Sequence, residues 1–97
     1  MIYKIRLGSH VKKYLKKVKE KPLRKKIIDA IYDEIAIDPY SFNTKVGDLS
    51  GIHSYGFKYK GISYRIAYTI KDDELIISVI LVGTHENFYQ ELKRINK

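Results

Sequence analysis

LIISVILVGTHENFYQELKRINK, Leu75 to Lys97, is the stretch that decides how this chain folds. Its first eight residues are apolar or small, rich in Ile and Val, with no polar residues at helical spacing. That is the pattern of a strand covered on both faces, and it predicts the central strand of a sheet. The character changes at Gly83. Thr84 can cap a helix, and Phe88, Leu92 and Ile95, at i, i+4 and i+7, give that helix one apolar seam. His85 and Tyr89 stand four apart beside the seam, so the strand end hands an imidazole and a phenol to the same edge of the molecule.

Immediately upstream, Ile52 to Tyr59 and Ile62 to Ile70 both alternate, with Lys60 and Gly61 between them, which predicts a hairpin with a two-residue turn. That turn sets Tyr59 opposite Ile62, Phe57 opposite Tyr64, Tyr55 opposite Ile66 and Gly56 opposite Arg65. One face then carries Tyr55, Phe57, Tyr59, Ile62, Tyr64, Ile66 and Tyr68, bulky enough to pack against helices. The other carries Ser54, Gly56, Lys58, Ser63, Arg65, Ala67 and Thr69: small residues around two cations, with a gap at Gly56 that no side chain fills. A register slip of one residue would exchange the faces of one strand relative to the other, so the turn carries the inference. The polar KDDE of Lys71 to Glu74 returns the chain to the strand at Leu75, making the last three strands an antiparallel meander.

Further upstream, Ile2 to Leu7 alternates as a half-buried strand and Gly8 and Ser9 break it. From Ser9 as N-cap, Val11, Tyr14, Leu15 and Val18 form a helical seam, while Lys12, Lys13, Lys16 and Lys17 fill the opposite arc. Pro22 suits the first turn of a second helix. Its seam is Leu23, Ile27, Ile31 and Ile35, widened by Ile28, Ala30 and Tyr32, and Asp38 and Pro39 end it. Tyr40 to Gly51 has no sustained period and reads as a loop. The expected fold is α+β, one domain over 1–97: an N-terminal strand, a helical hairpin, a three-stranded antiparallel meander completing a four-stranded sheet, and a C-terminal helix.

Nineteen Lys and Arg against eleven Asp and Glu give a formal charge of +8, which points to a polyanionic partner such as nucleic acid. There is no cysteine, and the three histidines, His10, His53 and His85, lack ligand spacing, so neither a metal nor another cofactor is expected. His10 and His53 read as surface or loop residues. No apolar run reaches membrane-spanning length and MIYKIRLGSH lacks a signal-peptide core, so a cytoplasmic protein without membrane contact is expected.

An N-terminal strand, a Lys-rich helical hairpin, a DLSG loop, then FKYKGISYRIAYTI and a hydrophobic strand ending in VGTHENFYQELKR together resemble the RelE/ParE superfamily of toxins from bacterial toxin–antitoxin modules. The resemblance covers essentially the whole chain. Its sharpest parts are G-x-x-Y-R-I-x-Y, Gly61 to Tyr68, and G-T-H-x-x-x-[FY], Gly83 to Tyr89; the second is similar to the YafQ-like branch. The resemblance implies a metal-independent endoribonuclease that cleaves mRNA in the ribosomal A site, contacts rRNA, and is held in a hetero-oligomer by a cognate antitoxin. It assigns Arg65 to the phosphate, Lys58 to a basic catalytic position on the preceding strand, His85 to the histidine of the GTH motif and Tyr89 to the aromatic four positions on. The sequence departs from the pattern at Gly56, where RelE has a second strand lysine, and in lacking the additional histidines of YafQ-like toxins.

RNA cleavage without a metal needs a base for the 2′-OH, an acid for the departing 5′-oxygen and cations for the charge developing on phosphorus. The imidazole of His85 suits either proton role. Arg65 suits a bidentate phosphate clamp with Lys58 beside it, and Tyr89 can stack on a base or orient His85. The second proton carrier is then Lys58 or Glu86. Lys60, Lys45, Lys12, Lys13, Lys16 and Lys17 are the expected RNA-backbone contacts. Structural readings stand beside these: His85 as an exposed helix-start residue, Arg65 paired with Asp48 or Glu86, Tyr89 as core, and the lysines as a solvated face. Two other functions fit the same family: a ParE-type DNA gyrase inhibitor without nuclease activity, and a non-catalytic toxin-like binding module. The nuclease reading makes one geometric demand, that His85 lie within reach of a phosphate held by Arg65, which placement on opposite sides of the sheet would defeat.

Overall fold

The computed structural model describes residues 2–44 and 51–95. The chain runs β1 (Lys4–Leu7), α1 (Ser9–Lys17), α2 (Lys21–Asp29), β2 (Asn43–Thr44), β3 (His53–Tyr59), β4 (Ile62–Lys71), β5 (Ile76–Thr84) and α3 (His85–Ile95). The sheet order is β1-β5-β4-β3-β2. The meander β3–β4–β5 is antiparallel throughout, and β1 joins β5 in parallel, making the sheet mixed. The four expected strands are present, and the two-residue β2 adds to the edge of β3.

Two expectations change here. LIISVILV is an interior strand but not the central one, because β1 ends the sheet beside it and the middle position belongs to β4. The loop expected over Tyr40 to Gly51 holds the end of a 3₁₀ turn, Pro39–Ser41, and then β2; two residues of strand are too few to show a period. Residues 45–50, with Lys45 and Asp48, lie outside the described residues.

The hairpin register is the expected one: Tyr59 pairs with Ile62, Phe57 with Tyr64, Tyr55 with Ile66 and Gly56 with Arg65. Its turn is achieved by two successive left-handed residues, Lys60 at φ 50° and Gly61 at φ 80°, the backbone that matches strand twist across a two-residue loop. Glycine takes that conformation freely, whereas Lys60 adopts it against the ordinary preference of a side chain.

The bulky hairpin face packs as its side chains suggest except at the turn, where Ile62 is 47% exposed. Tyr64, Ile66 and Tyr68 are buried with Val11 and Val18 at the α1 seam, with Leu23, Ile27, Ile31 and Ile35, and with Ile77, Val79 and Val82 of β5. The second helix does not stay α-helical. Ala30–Ile35 continues it as a π-helix, sealed by the Ala36 N–H donating to the Ile31 carbonyl at 2.9 Å. A seam that steps by four residues each time outruns the 3.6-residue turn, and local underwinding returns Ile35 to the core. Ile28 and Tyr32, expected to widen this seam, are exposed instead, at 37% and 46%.

The other face of the sheet is covered only in part. Phe88 and Leu92 of α3 bury against Ile52 and Ala67, with Ile80, Leu81 and Tyr89 around them. β5 is therefore covered on both faces, as its composition requires, while the neighbouring β3–β4 surface stays open beyond α3.

Candidate active site

The open surface is a cleft of about 430 Å³ lined by Ser41, Phe42, Ser54, Gly56, Lys58, Ser63 and Arg65, with Phe57 and Tyr64 at its margin. Strand alternation puts Lys58 and Arg65 on one face, two residues apart along the hairpin, since Lys58 pairs with Ser63 and Gly56 with Arg65. No carboxylate lines the cleft among the described residues.

Arg65 occupies an unusual place. Its direct partners on both neighbouring strands are glycines, Gly56 on β3 and Gly83 on β5. The gap at Gly56 is filled after all: Nη1 of Arg65 lies 3.3 Å and Cζ 3.7 Å from the point where a Cβ on Gly56 would stand. Across from it, Cζ is 5.9 Å from the centroid of the Tyr89 ring. The Nε is buried without a hydrogen-bond partner among the described residues. The pairing of Arg65 with Glu86 considered from sequence does not form.

α3 brings the histidine to this side. It begins directly after β5, and burial of Phe88 and Leu92 anchors it over Ala67. His85 and Tyr89 meet edge to face, with ring centroids 5.8 Å apart at 90°. Tyr89 therefore joins the two expected functional groups, touching the Arg65 guanidinium with one contact and the His85 imidazole with the other. His85 is exposed beside the cleft rather than in its lining. His85, Arg65 and Lys58 share one side of the sheet, with Tyr89 between the imidazole and the guanidinium.

The remaining lysines separate from this group. Lys12, Lys13, Lys16 and Lys17 are exposed on α1, and Lys13 and Lys17 line a second groove, of about 410 Å³, with His10, Tyr14, Gly83, Thr84, Phe88 and Glu91. Lys60 turns toward the helical hairpin, its Nζ 3.0 Å from Glu20 Oε1.

His53 corrects the surface assignment. It is 9% exposed on β3, stacked on Tyr68 at 5.4 Å and meeting Tyr40 edge to face at 5.7 Å. Burial pulls its pKa below the ordinary 6.5. The signal was in the sequence, because His53 has the same strand parity as Tyr55 and Phe57 and so points to the core. Ser54 was not singled out from sequence either. It is 1% exposed and its Oγ has no hydrogen-bond partner among the described residues, at the wall of the same cleft.

The fold of this chain is similar to that of solved RelE toxins. The free E. coli toxin RelE, solved as a double arginine-to-alanine mutant, is similar with a TM-score of 0.73 at 19% identity, over 98% of this chain and 99% of that one. The RelBE2 toxin–antitoxin complex of Mycobacterium tuberculosis contains a chain that matches with a TM-score of 0.73 at 17% identity, over 88% of this chain and all of that one. The intact E. coli RelBE complex gives 0.68 at 20% identity, over 87% of this chain and 98% of that one. No curated protein sequence matches. The family model for the ParE-like toxin of type II bacterial toxin–antitoxin systems matches residues 5–93, and the chain belongs to that family.

Proposed function

We propose that this toxin is a metal-independent endoribonuclease that cleaves mRNA in the ribosomal A site. The observation that carries the reading is the grouping of Arg65, Lys58, Tyr89 and His85 on one side of the sheet, with no carboxylate among the described residues lining the cleft. Among the described residues Arg65 faces no carboxylate in the cleft and its buried Nε has no hydrogen-bond partner, which favours an anion-binding role.

In this reading Arg65 and Lys58 hold the scissile phosphate and offset the charge that builds on its oxygens. The 2′-oxygen attacks phosphorus, the bond to the 5′-oxygen breaks, and the products are a 2′,3′-cyclic phosphate and a 5′-hydroxyl. His85 passes one of the two protons. Lys58, which lines the cleft while Glu86 does not, is the second group placed to carry one. Tyr89 orients the imidazole and flanks the guanidinium. The α1 lysines track rRNA or message backbone. A cognate antitoxin covers the basic surface, as the antitoxins of the RelBE complexes accompany their toxins.

The ParE-like family match favours one other reading, inhibition of DNA gyrase without RNA cleavage. Controlled expression with mapping of message 5′ ends separates the two. The nuclease reading expects cuts within codons in the wild type and none in His85→Ala. Intact message accompanied by DNA damage would replace it with the gyrase reading, and cuts that persist in His85→Ala would remove His85 from the chemistry.

A further inference from the structure

The row Gly83–Arg65–Gly56 runs straight across β5, β4 and β3. Directly opposed residues in a sheet have Cβ atoms close enough for their side chains to support one another. An arginine between two side chains would therefore be propped upright, away from the sheet. Between two glycines it has room to lie down, and the two sides are not equivalent. A Cβ at Gly83 would meet nothing within 4 Å, whereas one at Gly56 would stand 3.3 Å from Nη1 and 3.7 Å from Cζ. The guanidinium thus lies toward β3, over Gly56, with its Cζ 5.9 Å from the centroid of the Tyr89 ring.

We propose that Gly56 is a positioning residue: by having no side chain it lets the Arg65 guanidinium lie flat against β3, at the height where a phosphate entering the cleft meets it beside Lys58. The inference deepens the ribonuclease reading and rests on it for its catalytic consequence. It also gives a physical role to the glycine at the strand position where the resemblance to RelE leads one to expect a second lysine. A lysine there would supply a second cation but would displace the guanidinium; the glycine supplies no cation and fixes where the existing one sits.

Three features make the claim separable from a merely structural one. Gly56 has no positive φ, so alanine is compatible with its backbone. The atom an alanine Cβ would crowd is the end of a flexible side chain, which can lift away without disturbing the core. Gly83 lies in the same row, and its Cβ site is empty, so Gly83→Ala adds the same methyl group without touching the guanidinium.

The test compares Gly56→Ala and Gly83→Ala in the full chain by thermal unfolding, by the Nε–Hε resonance of Arg65 (assigned by its loss in Arg65→Lys), and by steady-state cleavage of message on programmed ribosomes. Gly56→Ala is expected to melt as the wild type, shift the Arg65 resonance and lower kcat by about tenfold or more at nearly constant KM, because a displaced clamp costs rate before affinity. Gly83→Ala is expected to match the wild type in all three. An unmoved resonance in Gly56→Ala, or equal shifts in the two variants, overturns the proposal. If the wild type cleaves no message, the ribonuclease reading falls while the resonance comparison still decides the position of the guanidinium. Should Gly56→Ala not fold, the wild-type resonance serves alone: Tyr89→Leu must shift it by removing the ring current, and no shift overturns the packed arrangement.

Discussion

The guanidinium of Arg65 lies with its Cζ 5.9 Å from the centre of the Tyr89 ring, and that ring meets His85 edge to face at 5.8 Å. One aromatic side chain thereby couples a strand cation to a helix-start imidazole that strand pairing alone would leave unrelated. For Arg65, Arg65→Lys keeps the charge but loses the planar fork that lies against the Tyr89 ring. Its expected kcat for message cleavage falls by roughly 10²-fold, in the range of losing an electrostatic donor to a transition state. A lysine variant within about threefold of the wild type would show that only net charge matters at this position.

Tyr89 can be dissected further. Tyr89→Phe keeps the ring that contacts both neighbours and removes only the hydroxyl, whereas Tyr89→Leu removes the ring. If orientation is the role, Phe retains most of the activity and Leu loses roughly 10-fold or more. If the hydroxyl carries a proton, the two variants fall together. Rates measured on the same ribosome-bound message distinguish these outcomes.

His53 gives the fold a pH dependence independent of the cleft. Its imidazole is buried against Tyr68 and Tyr40, and burial lowers its pKa from the ordinary 6.5. Between the folded value and 6.5 the unfolded chain binds more protons than the native one, so stability is complete above about pH 6.5 and falls as pH drops through that window. Urea unfolding at pH 7.5 and pH 5.5 is expected to show the loss, and His53→Gln is expected to flatten this component. An identical pH slope in the variant would assign the effect to other groups.

The hairpin was legible because its period of two and its two-residue turn leave one register that keeps every bulky side chain on one face, and Gly56 opposite Arg65 follows from it. The place of β5 within the sheet was not legible. An interior position is shared by β4 and β5, and composition does not say which has β1 at its edge. Lys60 shows a different limit. Its charge suggested RNA, but the left-handed turn carries it to Glu20, 40 residues away in sequence. Orientation at a turn depends on backbone handedness, which residue type alone does not reveal.

α3 is fastened to the sheet by Phe88 and Leu92, 2% and 0% exposed, and through them it fixes His85 and Tyr89. Phe88→Ala removes the larger anchor, with an expected loss of about 3–5 kcal/mol by the usual cost of emptying a buried aromatic site. Activity should fall more steeply with temperature than in the wild type, since detachment of α3 takes the imidazole away from Arg65. Chemical denaturation and cleavage rates across temperature check this pair of effects. An unfolding midpoint within error of the wild type would mean that α3 is held by contacts other than Phe88.

The α1 lysines act at a distance from the chemistry and so have a separable signature. Lys12, Lys13, Lys16 and Lys17 are exposed along one helix, and their salt dependence reports how many of them neutralise phosphate. Each phosphate contact with single-stranded RNA contributes about −0.7 to the slope of log K against log salt. Replacing all four with Gln is therefore expected to reduce the magnitude of that slope by about 3, while kcat on saturating ribosomes stays within a few-fold of the wild type, because none of the four lines the Arg65 cleft. Binding titrations of a fluorescent RNA over a range of salt concentrations measure the slope directly. A slope unchanged by the fourfold substitution would make this arc a solvated face and shift the polyanion contact to the cleft itself, where Lys58 and Arg65 would have to supply it alone.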